Sequence, residues 1–237
     1  MNAEEELKRL RELQKNDWED LRSPEKYILQ EVKIPDIGTR KVYVFDKWSQ
    51  LKSQYEDLQS SRGVVSADTI EEMIKIQNSY GLTSADNARI IELGFRFPKL
   101  LEFYRNRFQR VKGCDITDLS VAVGTMMNYD VVKCDLSRTV PNVMQSSLVV
   151  AYHVLEHISD PHETIKRLYD LLPNDSYFHV EIPIEPGIPR IRYAHLFAFE
   201  KGDVTKMCRN AGFMIVKTCN DPYEGGPEIE RCLCRKN

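Results

Sequence analysis

A-R-I-I-E-L-G-F (Ala88–Phe95), R-V-K-G-C-D-I-T-D (Arg110–Asp118) and D-V-V-K-C-D-L (Asp130–Leu136) are three short apolar runs, each closed by an acid. Those acids are Glu92, Asp115 and Asp135. In an open parallel sheet, ligands bind in the crevice outside the carboxyl ends of the strands. Carboxylates on three successive strand ends therefore converge on one crevice, and they suit the amines and hydroxyls of a nucleoside.

Working outward, the rest of the chain alternates in the same way. Strands are predicted at Ile90–Leu93, Val111–Cys114, Val131–Cys134, Ser147–Tyr152 and Tyr177–Ile182. Helices are predicted at Lys99–Gln109, Leu119–Met127, Glu163–Leu172 and Gly202–Asn210, the first opening after Pro98 and the third after Pro161. Phe213–Thr218 and Ile229–Cys234 end the chain, and the stretch between them is too short for a helix, so that pair must be antiparallel. The pattern is α/β: a doubly wound, mostly parallel seven-stranded sheet of Rossmann-like form, with an antiparallel C-terminal hairpin and a reversed edge strand.

Residues 1–62 read as an N-terminal appendage to a main domain at 63–237. Leu7, Leu10, Leu13, Trp18 and Leu21 make a thin apolar stripe along a helix over 4–22, which Ser23-Pro24 stops. Docking on the protein's own core is the favoured use of that stripe, and a homodimer through it stays open. Tyr27–Ile34 and Arg40–Phe45 flank Pro35-Asp36-Ile37-Gly38, a hairpin signal. The stretch 46–63 is polar, and Ser66 opens a helix that closes at Gly81.

Composition excludes several classes. Hydrophobic content is 42%, charged content 29% and net charge −3, so no basic surface argues for nucleic acid. No apolar run is long enough to span a bilayer, and the charged first residues are not a signal peptide, so a cytoplasmic protein is expected. Of the six cysteines, Cys114, Cys134 and Cys219 lie in apolar runs as reduced thiols; Cys232 and Cys234 lack the C-x-x-C spacing of a zinc or redox site.

Two segments carry a resemblance. Ser146–Pro161, S-S-L-V-V-A-Y-H-V-L-E-H-I-S-D-P, resembles the fourth-strand segment of class I S-adenosylmethionine-dependent methyltransferases acting on small molecules. Arg192–Phe213 is similar to the H-L-x-x-F stretch that borders the acceptor pocket in their sugar-modifying members. The likeness extends from about Ser66 to the C-terminus and departs at the first loop. There Glu92-Leu93-Gly94-Phe95-Arg96-Phe97-Pro98 keeps the acid and Gly94 but lacks the later glycines, whose backbone freedom lets a ligand approach.

The resemblance implies S-adenosyl-L-methionine as cofactor. Glu92 would orient its amino group, with Gly94 in the same loop. Asp115 would accept from the ribose hydroxyls, with Ile116 beside it, and Asp135 from the adenine amino group, with Leu136 packing on the ring. Tyr152 and His153 would lie near the sulfonium. Arg96 either reaches the cofactor carboxylate or faces solvent.

A hydroxyl acceptor must lose a proton, and histidine is the natural base near neutral pH. The candidates are His195 first, then His157 and His153; His162 reads as a surface residue and His179 as a structural one. His153 and His157 stand four apart, on one face if a helix begins there, a metal-like pair that Glu156 or Asp160 would complete; yet the whole motif matches metal-free relatives and no metal is expected. Ala151-Tyr152-His153 replaces the Asn/Asp-Pro-Pro loop of nucleic-acid methyltransferases. Glu181 and Glu185, in or beside a Pro-rich loop with Arg190 and Arg192, bind sugar hydroxyls or stay solvated.

The sum is O-methylation of a small-molecule sugar or a glycan. Methylation of another metabolite, lipid or protein, and a non-catalytic scaffold on a degenerate methyltransferase fold, are the alternatives.

Overall fold

The computed structural model describes residues 28–44, 89–96, 99–105, 110–144, 148–190, 195–220 and 228–237, together with positions 5, 8 and 12. Those three positions are helical and exposed; the rest of the expected 4–22 helix, the 46–63 stretch and the 66–81 helix lie outside the described residues.

Two strands form the N-terminal hairpin, β1 (Ile28–Ile34) and β2 (Gly38–Val44), paired antiparallel with Ile34 opposite Gly38. The main sheet holds β3 (Arg89–Leu93), β4 (Arg110–Asp115), β5 (Asp130–Lys133), β6 (Leu148–Tyr152), β7 (Tyr177–Pro183), β8 (Met214–Cys219) and β9 (Ile229–Arg235). Among the described residues the helices beside them are α1 (Lys99–Arg105), α2 (Asp118–Met126), α3 (Pro161–Leu171) and α4 (Asp203–Ala211).

Strand order is β5-β4-β3-β6-β7-β9-β8. Chain order reverses between β3 and β6, and that switch point is where a doubly wound sheet opens its crevice. One expectation changes. The reversed strand is β9, and it lies between β7 and β8 rather than at the edge, antiparallel to both. Burial explains why. Ile229 through Cys234 are all buried and need a neighbour on each side, whereas β8 is half-exposed and serves as the rim.

Local chemistry sets the element ends. All five residues of β6, L-V-V-A-Y, are buried, as a central parallel strand requires. Thr117 caps α2 by accepting from the Ser120 N–H, and Asp160 caps α3 by accepting from the Glu163 N–H. Gly212 ends α4 at φ 110°, where a Cβ would stand 2.7 Å from the Tyr169 ring.

The larger core lies between the sheet, α3 and α4; a second cluster gathers Ile90, Leu100, Tyr104, Leu148, Val150, Tyr152 and Leu233. All six cysteines are free thiols, five of them buried. Among the described residues, no helix is long and apolar enough to cross a membrane.

The hairpin is docked on the segment that leads into α4. Val42 is fully buried and bridges Phe197, the Tyr43 N–H donates to the Leu196 carbonyl at 2.8 Å, and the Ser159 hydroxyl donates to the Tyr43 carbonyl at 2.9 Å. Arg40 makes a two-pronged pair with Asp203, both bonds at 2.8 Å, and reaches Glu200 at 3.0 Å. Asp203 is essentially inaccessible. Removing one partner of a buried pair strands a charge, at a cost of about 3–5 kcal/mol. Because Asp203 keeps the Glu200 N–H, Arg40→Ala is expected at the lower end, about 3 kcal/mol. Urea midpoints for Arg40→Ala, Asp203→Ala and the double variant check this; additive losses would mean that the pair is not coupled.

Candidate active site

The strand tips bring the three acids into line. Glu92 sits opposite Gly113 on β4 and Val150 on β6, and Asp115 sits opposite Lys133 on β5. The loop after β3 folds over the tip of β4: the Gly94 and Phe95 N–H groups both donate to the Cys114 carbonyl, at 2.8 and 3.3 Å. The Cys134 N–H then donates to the Asp115 carbonyl at 2.8 Å, which carries the line to Asp135.

Asp115 is the centre of this rim. One carboxylate oxygen accepts the Arg96 N–H at 2.9 Å; the other accepts the Thr117 N–H and hydroxyl, each at 2.9 Å. Burial raises its pKa, and those donors work against the rise. Glu92 is more extreme. Burial, and then the charge of Asp115, push its carboxyl well above the ordinary range. Its carboxylate accepts from the Leu101 N–H, yet Oε2 is buried with no hydrogen-bond partner. Asp135 accepts the Ser137 N–H at 2.9 Å and meets Arg138 at 3.2 Å.

The loop that lacks glycines keeps a glycine-like path. Gly94 has φ 67°, and a Cβ there would lie 2.6 Å from Val154 Cγ2, so both backbone and space require glycine. Arg96 has φ 45°, a left-handed conformation that costs a non-glycine residue. It enters the rim through its N–H on Asp115. Phe95 turns away from the crevice into the core, where the missing side chains of Gly113 and Gly124 make room for its ring.

The set of groups fits a nucleoside with an amino group. Glu92 Oε2 lacks a donor, Asp115 Oδ2 accepts one bond where two lone pairs exist, and Leu136 is buried beside Asp135. Ile116 is half-buried between the Asp115 and Thr117 contacts.

Past β6 the rim becomes a cluster of histidines and glutamates. His153 takes φ 53° and precedes a 3-10 turn over Leu155–His157, so His153 and His157 do not share a helical face as their spacing suggests. Glu156, 1% exposed, stands between them, with His153 Nδ1 at 3.4 Å and His157 Nε2 at 3.9 Å. His153 Nε2 also reaches Glu181 Oε1 at 3.0 Å. Glu181 is fully buried and paired with Arg231 of β9, so it is a structural charge rather than a solvated loop acid or a sugar contact.

His195 arrives from the far side. The Leu196 and Phe197 N–H groups donate to the Glu156 carbonyl at 2.7 and 3.1 Å, which pins the neighbouring His195 against the turn. Its ring lies 5.1 Å from that of His157, edge to face, and its Nδ1 is 2.7 Å from Glu185 Oε2. Arg190 stands 3.6 Å from Glu185; Arg192 lies outside the described residues.

Four other residues complete the comparison. Tyr152 continues the Leu148–Val150 face into the second core cluster, and its hydroxyl pairs with His179 Nδ1 at 2.8 Å. Asp160 is the α3 cap and not part of the cluster. His179 is structural as expected, while His162 is half-buried at the start of α3.

No family model matches the sequence, and no curated protein matches it. Solved structures do. An S-adenosylmethionine-dependent methyltransferase from Mesorhizobium loti superposes with a TM-score of 0.57 at 13% identity, covering 73% of this chain and 99% of its own. One from Clostridium acetobutylicum gives 0.60 at 10% identity, over 78% and 98%. Magnesium protoporphyrin IX methyltransferase from Synechocystis, with bound SAH, gives 0.60 at 13% identity, over 78% and 95%. The chain therefore has the Rossmann-like fold of S-adenosylmethionine-dependent methyltransferases.

Two histidines give the fold a pH signature. Burial would lower the pKa of His153, but Glu156 and Glu181 outweigh it and push it from 6.5 up to about 10. Burial lowers His179 to about 4. Between pH 6.5 and 10 the native state holds the His153 proton that the unfolded chain releases, so stability falls as pH rises. Between 6.5 and 4 the unfolded chain takes the proton that buried His179 refuses, so stability falls as pH drops. In denaturant midpoints measured across pH, His153→Gln should flatten the loss of stability between pH 6.5 and 10. An unchanged alkaline limb in that variant would contradict the His153 assignment.

Proposed function

We propose that the protein transfers a methyl group from S-adenosyl-L-methionine to a hydroxyl of a small-molecule sugar or a glycan. The observation that carries this reading is the Glu185–His195 pair at 2.7 Å, held on the same carboxyl-end rim as Glu92, Asp115 and Asp135. The methyltransferase fold supports the reading from outside the site.

Glu92 would receive the cofactor's amino group on its open Oε2, a contact that also relieves a raised, buried carboxyl. Asp115 would accept from the ribose, Asp135 from the adenine amino group, and Leu136 would pack on the ring. When bound, the cofactor supplies a methyl group on a sulfonium that is already a good leaving group. The protein's share is then alignment and exclusion of water, an effect worth roughly 7–11 kcal/mol when fully realised.

The proton of the acceptor hydroxyl goes to His195. An ionised Glu185 only accepts hydrogen bonds, so it fixes the proton on Nδ1 and leaves Nε2 as the basic nitrogen. The carboxylate then steadies the imidazolium that forms. His157 packs edge-on against His195 and holds its plane. His153 keeps its proton through neutral pH and serves as a fixed cation between Glu156 and Glu181 rather than as a base. The net charge of −3 and the compact acidic rim support a small neutral acceptor over nucleic acid.

Calorimetric titration with S-adenosylhomocysteine, followed by methyl transfer to a panel of sugars and glycans, tests the proposal. Binding is expected, weakened at least tenfold by Asp115→Asn. His195→Ala should lower turnover by about 10²–10⁴ while cofactor affinity is kept. Absence of binding would leave a fold without this cofactor. Binding with full turnover in His195→Ala would remove the base assignment, and transfer only to a protein or lipid would move the substrate class.

A further inference from the structure

The Glu156–His157–His195 cluster has the makings of a metal centre that sequence spacing announces only in part, since His195 lies 38 positions beyond His157. Spacing suggests His153 and His157 completed by Glu156 or Asp160, and the structure withdraws two of these four: His153 is engaged by two glutamates, and Asp160 caps α3. A different set closes instead. One ligand atom from each of Glu156, His157 and His195 lies within 4.8 Å of the other two.

Three observations point to an ion there. The first is Glu156 itself: both carboxylate oxygens are buried and neither has a hydrogen-bond partner, only ion-pair neighbours at 3.4 and 3.9 Å. His153 offsets the charge of this carboxylate, yet neither oxygen accepts a hydrogen bond, so both retain the capacity to coordinate an ion. The second is the ring geometry. Two imidazoles bound tetrahedrally to one ion at about 2.0–2.1 Å hold their ring centres roughly 5 Å apart; the rings of His157 and His195 are 5.1 Å apart. The third is Glu185 on His195 Nδ1 at 2.7 Å, the carboxylate–histidine arrangement that orients a metal-ligating imidazole and leaves its other nitrogen for the ion.

Two imidazoles and one carboxylate, with room for water as a fourth ligand, match a borderline divalent ion better than magnesium or calcium, which take oxygen ligands. We propose that Glu156, His157 and His195 form a binding site for a divalent transition-metal ion of the zinc class, with Glu185 orienting His195. Resting on the methyl-transfer reading above, the consequence is inhibition. An ion on His195 Nε2 takes the lone pair that would accept the hydroxyl proton, so metal and proton compete for one nitrogen.

The test uses the full chain, stripped with a chelator and titrated with Co²⁺, whose visible absorption reports tetrahedral nitrogen and oxygen ligands. One ion per chain is expected, displaced by Zn²⁺. His157→Ala and Glu185→Gln should each weaken uptake by about ten- to one-hundredfold, with melting curves confirming that both variants fold. Cys208, Cys232 and Cys234 form another potential ligand set. Cys232→Ser should therefore leave uptake unchanged; loss of uptake in it, or a thiolate charge-transfer band in the unaltered chain, overturns the proposal. So does the absence of stoichiometric uptake, which leaves the His195 base reading untouched. Full occupancy with undiminished methyl transfer keeps the site and removes His195 as the base.

Discussion

The carboxylate of Asp115 is the contact on which the rest of the rim depends. It ties three things together: the Arg96 N–H from the loop after β3, and the Thr117 N–H and hydroxyl at the start of α2. A charged acceptor makes stronger hydrogen bonds than a neutral one. That is what holds Arg96 at φ 45° without a glycine's freedom. Glycines elsewhere make room for the loop. Gly113 and Gly124 clear the space that Phe95 fills, so the loop follows a tight path while its aromatic side chain is buried under it.

The second organising feature is a set of buried charges that no water can serve. Glu156, Glu181 and Glu185 are at most 6% exposed, and each meets a cation or an imidazole. Glu181 has Arg231 and His153, Glu185 has His195 and Arg190, and Glu156 has His153 and His157. Buried ions are weak contributors to stability and strong contributors to geometry, because a misplaced partner is expensive. The N-terminal hairpin serves the same end: through Arg40, Val42 and Tyr43 it fixes the 196–203 segment, and with it the position of His195.

Local pattern carried much of this in the sequence. Alternation of apolar runs and amphipathic segments gave β3 to β9 and their helices to within a few residues, and the acids at the tips of β3, β4 and β5 could be read directly. Contacts between distant residues could not. Arg231 and Glu181 are 50 positions apart, Arg40 and Asp203 are 163 apart, and no spacing rule connects them. At 153–157 the offset of four would share a face only if a helix began there, and a left-handed residue and a 3-10 turn intervene instead. Tyr152, at the carboxyl end of β6, follows strand alternation into the second core cluster, a contact with Tyr104 and His179 that spacing does not show. Placement of β9 inside the sheet needed its unbroken burial, which a sequence containing Glu230 and Arg231 disguises.

Electron density from crystals grown with S-adenosylhomocysteine is the most direct check on the account. The nucleoside should lie across the tips of β3, β4 and β5, its ribose hydroxyls on Asp115, its adenine amino group on Asp135 and its amino group on Glu92 Oε2. A ligand bound elsewhere, or an Asp115 carboxylate left facing only Arg96 and Thr117 at saturating ligand, would contradict it.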